Sequence, residues 1–197
     1  MPNLTLFAGI NGAGKTTLYK LEKDGLTDLG LRINPDEILT GFGGDFNNGN
    51  DLMKSGSIAV KMIDYCIKNK KSFNWETSTI RPYVIKKLKQ AKEQGFSIKI
   101  LFVGIQELDI ALKRIEHRVK RGGHNVPVDL VQQRFKLQFK SLLQAISMSD
   151  YALLFDNTNV MKIVGTYIGD KQKFTYIDKN FDWVLTLNNN LNYKSNT

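Results

Sequence analysis

The chain has 197 residues, 42% hydrophobic and 24% charged, with a formal net charge of +9 and one cysteine. That size suits one domain with a full core, and the composition excludes low-complexity, disulfide-built and membrane-spanning classes. The basic balance favours anionic partners, either nucleic acid or a phosphorylated small molecule, but the lysines are scattered over helix faces and are not interleaved with stacking aromatics, so nucleic acid is the weaker reading.

In chain order, Leu4-Thr5-Leu6-Phe7-Ala8 is a β-prone run that enters Gly9-Ile10-Asn11-Gly12-Ala13-Gly14-Lys15-Thr16, a G-x-x-x-x-G-K-T pattern. Thr17-Leu18-Tyr19-Lys20-Leu21 leaves it as a helix. The glycines let successive N–H groups curl inward around phosphate oxygens, and the helix start adds its positive end. Lys15 reaches the terminal phosphates and the Thr16 hydroxyl ligates Mg²⁺. The plain alternative is a Gly-rich turn that holds nothing; the strand before and the helix after argue against it.

Gly30–Asn34 reads as a second strand, and Pro35 opens a helix at its first position. Gly41–Asn50 is a Gly/Asn-rich loop with two aromatics, Phe42 and Phe46, either a connection or a flap over substrate. Leu52–Asn69 has helical apolar spacing, with Cys66 in its apolar face as a small core residue. Lys71–Glu76 is a third strand, and Pro82–Gln94 a helix stopped by Gly95. Ile98–Val103 is the most apolar strand and is expected near the sheet centre. Leu108–Arg121 is a helix with Leu108, Ala111, Leu112, Ile115 and Val119 on one face. Gly122-Gly123 breaks it. One further helix from Pro127 is expected to bury Val131, Phe135, Phe139, Leu142 and Ile146. Tyr151–Phe155 is a strand, and Val160–Ile177 a hairpin turning at Gly169-Asp170. The alternation predicts an α/β chain with a mostly parallel central sheet, right-handed crossovers and a C-terminal β-hairpin. Residues 1–187 form one domain in this reading. The Asn-rich tail, 188–197, is expected to be disordered. With no export signal before the first strand, a cytoplasmic protein is expected.

Chemistry concentrates at the strand ends. Asp36 follows the second strand, where a carboxylate can accept the proton of an attacking hydroxyl. It also complements a helix N-terminus, as Glu37 does, and both roles can hold at once. Glu76, followed by Thr77, Ser78 and Thr79, is read as a substrate cradle or a metal outer shell, with Ser78 or Thr79 capping the next helix. Arg114, Arg118 and Arg121 share a helix face, where like charges repel unless an anion faces them. Lys113, Glu116 and Lys120 occupy the far side, so a solvated face is the competing reading. Arg134 lies beyond the Gly122-Gly123 break, which has the form of a lid hinge. His124 stands without Cys or His partners, so it marks no metal site. His117 reads as surface. No apolar strand ends in a Walker B acid, since Ile98–Val103 runs into Gly104-Ile105-Gln106, and the Asn-Lys-x-Asp motif of GTPase switches is missing. Both favour a small-molecule kinase over an ATPase or a switch.

These residues together resemble the zeta toxin family of P-loop kinases, from about residue 4 to about 157. The resemblance rests on Gly9–Thr16, Asn34-Pro35-Asp36-Glu37-Ile38, Ser72-Phe73 with Glu76-Thr77, Ala91-Lys92 with Gly95-Phe96, the Arg114/Arg118 helix ending in Gly122-Gly123-His124 with Val126-Pro127, Arg134-Phe135, and Asp150 with Asp156-Asn157. It implies a three-layer P-loop NTPase fold of the nucleotide-kinase type and transfer of the ATP γ-phosphate to a sugar hydroxyl, with UDP-N-acetylglucosamine as the best-known acceptor. Asp36 is then the general base, Lys15 the phosphate-binding lysine, Glu76 the substrate-binding acid, and Arg118 and Arg134 the phosphate clamps. ATP binding falls to Gly9, Asn11, Gly12, Ala13, Gly14, Lys15, Thr16, Thr17 and Arg121, Mg²⁺ to Thr16, and the acceptor to Glu76, Thr77 and Ser78. Toxin members are held by a small helical antitoxin that blocks the ATP site. Ile10 stands where relatives often carry proline, and the 41–50 loop and the C-terminal hairpin have no counterpart in the pattern. A polynucleotide-end kinase and a non-catalytic ATP-binding module are the alternatives.

Overall fold

The computed structural model describes residues 1–25, 28–171, 173–178, 181, 183–185 and 187; the tail from 188 lies outside them. The strands are β1 (Asn3–Ala8), β2 (Leu31–Ile33), β3 (Phe73–Thr77), β4 (Ser97–Gly104), β5 (Tyr151–Asp156), β6 (Lys162–Ile168) and β7 (Lys173–Tyr176). The helices are α1 (Lys15–Asp24), α2 (Pro35–Gly41), α3 (Gly49–Lys68), α4 (Pro82–Glu93), α5 (Leu108–Lys120), α6 (Val128–Leu137) and α7 (Leu142–Met148).

All seven strands form one sheet in the order β2-β3-β1-β4-β5-β6-β7. β2 to β5 with β1 are parallel, and β6 and β7 run antiparallel at the edge. The apolar β4 is the middle strand, as its composition predicts. Alternation along the inner strands splits the core in two. Leu4, Leu6, Ile98, Ile100 and Phe102 face α3, α4 and α7. Phe7, Leu101, Val103 and Phe155 face α1, α5 and α6. Period-2 side chains on a sheet covered on both faces give three layers.

The sheet's two faces also explain the clearest departure from the sequence reading. The single helix expected from Pro127 is two, α6 and α7, separated by residues 138–141. Val131 and Phe135 pack into the core on the α5 side, whereas Phe139, Leu142 and Ile146 pack on the α4 side. A straight helix cannot serve both faces, so the chain turns between them. The buried Gln138 fastens the turn by donating from its side chain to the Ile105 carbonyl at 3.2 Å. Val119 is another departure: it is 39% exposed instead of continuing the buried stripe of α5. The expected hairpin is β6 and β7, and it extends the main sheet. Cys66 is fully buried in the core. Among the described residues no helix is long and apolar enough to cross a membrane.

Candidate active site

The Gly9–Thr16 loop leaves the C-terminal end of β1, between β3 and β4, and runs directly into α1. Two of its glycines have no substitute. A Cβ on Gly9 would lie 2.3 Å from the Val103 carbonyl oxygen, and one on Gly12 2.6 Å from that of Ala111, each with a positive φ. The loop is thus wedged between β4 and α5. The first turn of α1 has neither a side-chain cap nor an acidic residue, so its N–H groups stay open to an anion. Lys15 is 7% exposed and donates to the Ile10 carbonyl at 3.0 Å. Burial depresses its pKa; Glu76 and Asp36 oppose that depression, and Arg134 and Arg118 add to it.

Glu76 lies on β3, in register with Phe7 of β1. Its carboxylate accepts from the Thr16 hydroxyl at 3.2 Å and from Asn34 Nδ2 at 3.3 Å, and sits 4.0 Å from Lys15 Nζ. Arg32 Nη2 pairs with Oε2, the oxygen that Asn34 also meets, and Thr16 and Lys15 lie on Oε1. An acid therefore does stand beside the P-loop threonine. The sequence reading sought it on the most apolar strand, β4; it is carried by β3, whose polar Asn74 and Glu76 disguise a buried strand. Its presence removes one of the two reasons for preferring a kinase to an ATPase. Arg32 escaped that reading, and Asn34 entered it only as part of the Asn34-Pro35-Asp36 pattern, without a role. Arg32 is a lone charge in a three-residue apolar strand, which is the signal that could have exposed it. Its guanidinium also lies 3.7 Å over the Tyr19 ring and joins Glu37 to Glu76. Asn34 caps α2 by accepting from the Asp36 N–H at 3.0 Å, and its amide donates to Glu37 and Glu76.

Asp36 opens α2 with its side chain 47% exposed. His124 Nε2 is 3.4 Å from Asp36 Oδ2. Burial alone would raise the Asp36 pKa; the hydrogen bond and charge of His124, followed by Lys15 and Arg118, outweigh it and hold the carboxyl below its ordinary value of 3.8. Arg118 Nε donates to the His124 carbonyl at 3.1 Å. Arg134 Nη1 pairs with the Asn11 side chain. Arg118 Nη2 and Arg134 Nε are buried without a hydrogen-bond partner, leaving donors for a ligand.

Of the arginine face, Arg114 and not Arg121 reaches the loop. Arg114 donates to the Gly12 carbonyl at 3.4 Å and to the Thr158 carbonyl at 3.3 Å. Arg121 is exposed and borders a neighbouring groove with Lys113 and the exposed His117. The helix turn separates positions seven apart enough to put Arg121 past the cavity mouth. Thr77 and Ser78 border the second cavity described below. Neither Ser78 nor Thr79 caps α4; Arg81 holds the cap position and Thr77 closes a turn onto Thr79 instead.

Two cavities meet here. One, about 810 Å³, is bordered by Gly12, Gly14, Thr16 and Thr17 of the loop, by Arg114, Arg118 and Asn157, and by Phe46 and His124. The other, about 600 Å³, is bordered by the apolar Ala59, Val60, Ile63, Trp75 and Tyr83 and by the polar Thr77, Ser78, Arg81 and Arg134. Asn11, Lys15, Asn34, Asp36 and Glu76 border both. Among the described residues no group of three or more His, Cys, Asp or Glu side chains could hold a metal by itself.

A family model described as Zeta toxin matches residues 1–173. An uncharacterized protein of Haemophilus influenzae is 32% identical over 142 residues, which are 68% of this chain and 94% of that protein. Among solved structures, the AvrRxo1-ORF1:-ORF2 complex with ATP superposes with a TM-score of 0.72 at 17% identity, covering 95% of this chain and 64% of that one. This chain thus spans less than two thirds of that neighbour's length. The PezAT toxin-antitoxin system of Streptococcus pneumoniae gives a TM-score of 0.57 at 13% identity, over 98% of this chain and 87% of that one. At those identities the likeness is one of fold.

Proposed function

The chain belongs to the zeta toxin family, and from that premise we propose that it is an ATP-dependent phosphotransferase whose acceptor is a hydroxyl of a nucleotide sugar such as UDP-N-acetylglucosamine. The observation that carries the reading is the pair of cavities sharing Lys15 and Asp36. A kinase needs a donor and an acceptor in line across one phosphoryl group, with a base on the acceptor side. The P-loop cavity takes the triphosphate, with Lys15 and the α1 N–H groups on its oxygens. Asp36 accepts the acceptor's proton, and its depressed pKa keeps it ionised at neutral pH. Arg118 and Arg134 aim unpaired donors at charge spreading over the transferred group.

The Thr16 hydroxyl, with Glu76 nearby, would hold Mg²⁺, since this ion keeps most of its ligands as water and phosphate; bound there, it would supply charge neutralisation for the phosphates. Glu76, fixed by Arg32 and Asn34, orients the acceptor together with Thr77 and Ser78. The acceptor cavity supports a substrate with an apolar or ring-shaped body and anionic groups. The Arg81 carbonyl accepts from the Val84 and Ile85 N–H groups, its side chain borders this cavity, and its charge lowers the pKa of Arg134, after burial. Two such arginines suit a phosphate better than each other. The same reading extends to a small helical antitoxin covering the ATP cavity.

The test is incubation with ATP, Mg²⁺ and UDP-N-acetylglucosamine, with product detected by mass spectrometry, and 5′-hydroxyl RNA as the competing acceptor. Asp36→Ala is expected to lower transfer at least ~10³-fold while ATP affinity stays within about threefold. Full transfer by that variant would remove Asp36 as the base; transfer to RNA alone would replace the acceptor.

A further inference from the structure

The loop at residues 42–48 is built to hold one aromatic ring in place. The Gly43 and Gly44 N–H groups return to the Thr40 and Leu39 carbonyls. The Asp45 N–H donates to Asp51 at 3.0 Å, and its carboxylate accepts from the Asn47 N–H at 2.8 Å. These bonds carry Phe46 across the donor cavity, where its ring lies parallel to that of His124. The centroids are 4.0 Å apart and the planes 5° from parallel. His124 is therefore fixed at three points: by Phe46 on its face, by Arg118 on its carbonyl, and by Asp36 at Nε2. Phe46, His124 and Asp36 border one cavity, together with the P-loop.

We infer that the Phe46–His124 stack is a positioning device for phosphoryl transfer: it aims the Asp36 carboxylate at the acceptor and keeps water from the γ-phosphate. The inference rests on Asp36 being the base. With Oδ2 engaged by His124, the other oxygen is the one left for the acceptor cavity. In productive transfer the acceptor oxygen bonds to the γ-phosphorus, the bond from that phosphorus to the β–γ bridging oxygen breaks, ADP leaves, and Asp36 takes the hydroxyl proton. In the competing leak a water oxygen attacks instead, and inorganic phosphate is the product. The two rings border the cavity where that water would attack, and their stacked faces would exclude it from that side. A half-exposed carboxylate without lateral support would serve water and acceptor alike.

The experiment compares wild type with Phe46→Ala, Phe46→Trp, His124→Ala and the Phe46→Ala/His124→Ala double variant. Two rates are read: inorganic phosphate released from Mg·ATP without acceptor, and product formed with UDP-N-acetylglucosamine. In Phe46→Ala the ratio of phosphate release to transfer is expected to rise about tenfold, with the ATP KM within about twofold. Phe46→Trp, which keeps a stacking ring, should restore the wild-type ratio. The double variant should be no worse than either single, because the two rings act as one unit. An unchanged ratio in Phe46→Ala, or additive effects in the double variant, would overturn the inference. A folding defect is told apart by Phe46→Trp and by the melting temperature. A wild type that makes no product from UDP-N-acetylglucosamine overturns the acceptor reading instead, and phosphate release alone then decides the role of the stack.

Discussion

Lys15 shows how one side chain carries both function and cost. It is buried against Ile10 and Glu76, and burial depresses its pKa from 10.5. Between that lowered value and 10.5 the unfolded chain holds more protons than the folded one, so stability rises with pH across that window. The unfavourable contribution is full below the folded pKa and vanishes as pH approaches 10.5. Lys15→Met keeps the volume and removes the charge. It is expected to raise the melting temperature at pH 7, with the gain shrinking toward pH 10, while transfer falls roughly 10³-fold for want of a charge on the phosphates. A melting temperature that drops at pH 7 would mean that the Glu76 pairing outweighs desolvation. The same trade explains why Arg32 and Asn34 surround Glu76: a buried carboxylate beside a phosphate site has to be held by donors before nucleotide arrives.

Between elements, the join of α5 to α6 is where residue choice is sharpest. Gly122 has φ +82° and nothing within 4 Å of a built Cβ, whereas a Cβ on Gly123 would lie 2.5 Å from Arg118 Cγ and 3.0 Å from the Arg118 carbonyl. Gly122→Ala therefore costs only its left-handed backbone, ~1–2 kcal/mol in a denaturant titration, and leaves transfer within a few-fold. Gly123→Ala displaces Arg118, the arginine proposed to clamp the transferred phosphate. Its transfer rate should fall at least about tenfold, with a smaller loss of stability. Equal kinetic effects from the two would show that Arg118 does not depend on the hinge for its position. These two glycines were legible in the sequence as a break between arginine-bearing helices; which one touches Arg118 was not, because that depends on how the chain folds back after the helix. Strand and helix order was legible for the same kind of reason, since the periodicities of 2 and 3.6 are local. The α6–α7 break was hidden because Phe135, Phe139 and Leu142 keep helical spacing while packing on opposite faces of the sheet.

At the level of the whole molecule, the P-loop end of the site could be read directly, since one contiguous segment builds it. The acceptor end could be read only in part: Glu76, Thr77 and Ser78 were singled out and do border that cavity, but its apolar lining and Arg81 were not. Its lining comes from separate stretches, Ala59 and Ile63 of α3, Thr77 and Ser78 at the end of β3, Arg81 and Tyr83 at the start of α4, and Arg134 of α6, which the 2-3-1-4-5 strand order brings together. The C-terminal part has its own contribution to the site. Past β7, Phe181, Trp183, Val184 and Leu187 complete the core on the α3, α4 and α7 side. Trp183 stacks on Phe139 at 4.8 Å and meets Phe102 edge-on at 5.8 Å, and a Cβ on Gly104 would lie 3.0 Å from the indole. The end of the chain thus props the end of β4, against which the P-loop is wedged. The indole N–H is buried with no hydrogen-bond partner among the described residues. Phenylalanine would lose ring area but shed an unsatisfied donor, and the two effects oppose each other. Trp183→Phe should therefore cost about 1 kcal/mol or less by urea unfolding, whereas Trp183→Ala, which opens a cavity under Phe139, should cost ~3–5 kcal/mol. If phenylalanine proves as costly as alanine, the nitrogen is bonded in solution and the indole is held there by polarity; if it is nearly neutral, the core selects for ring area alone.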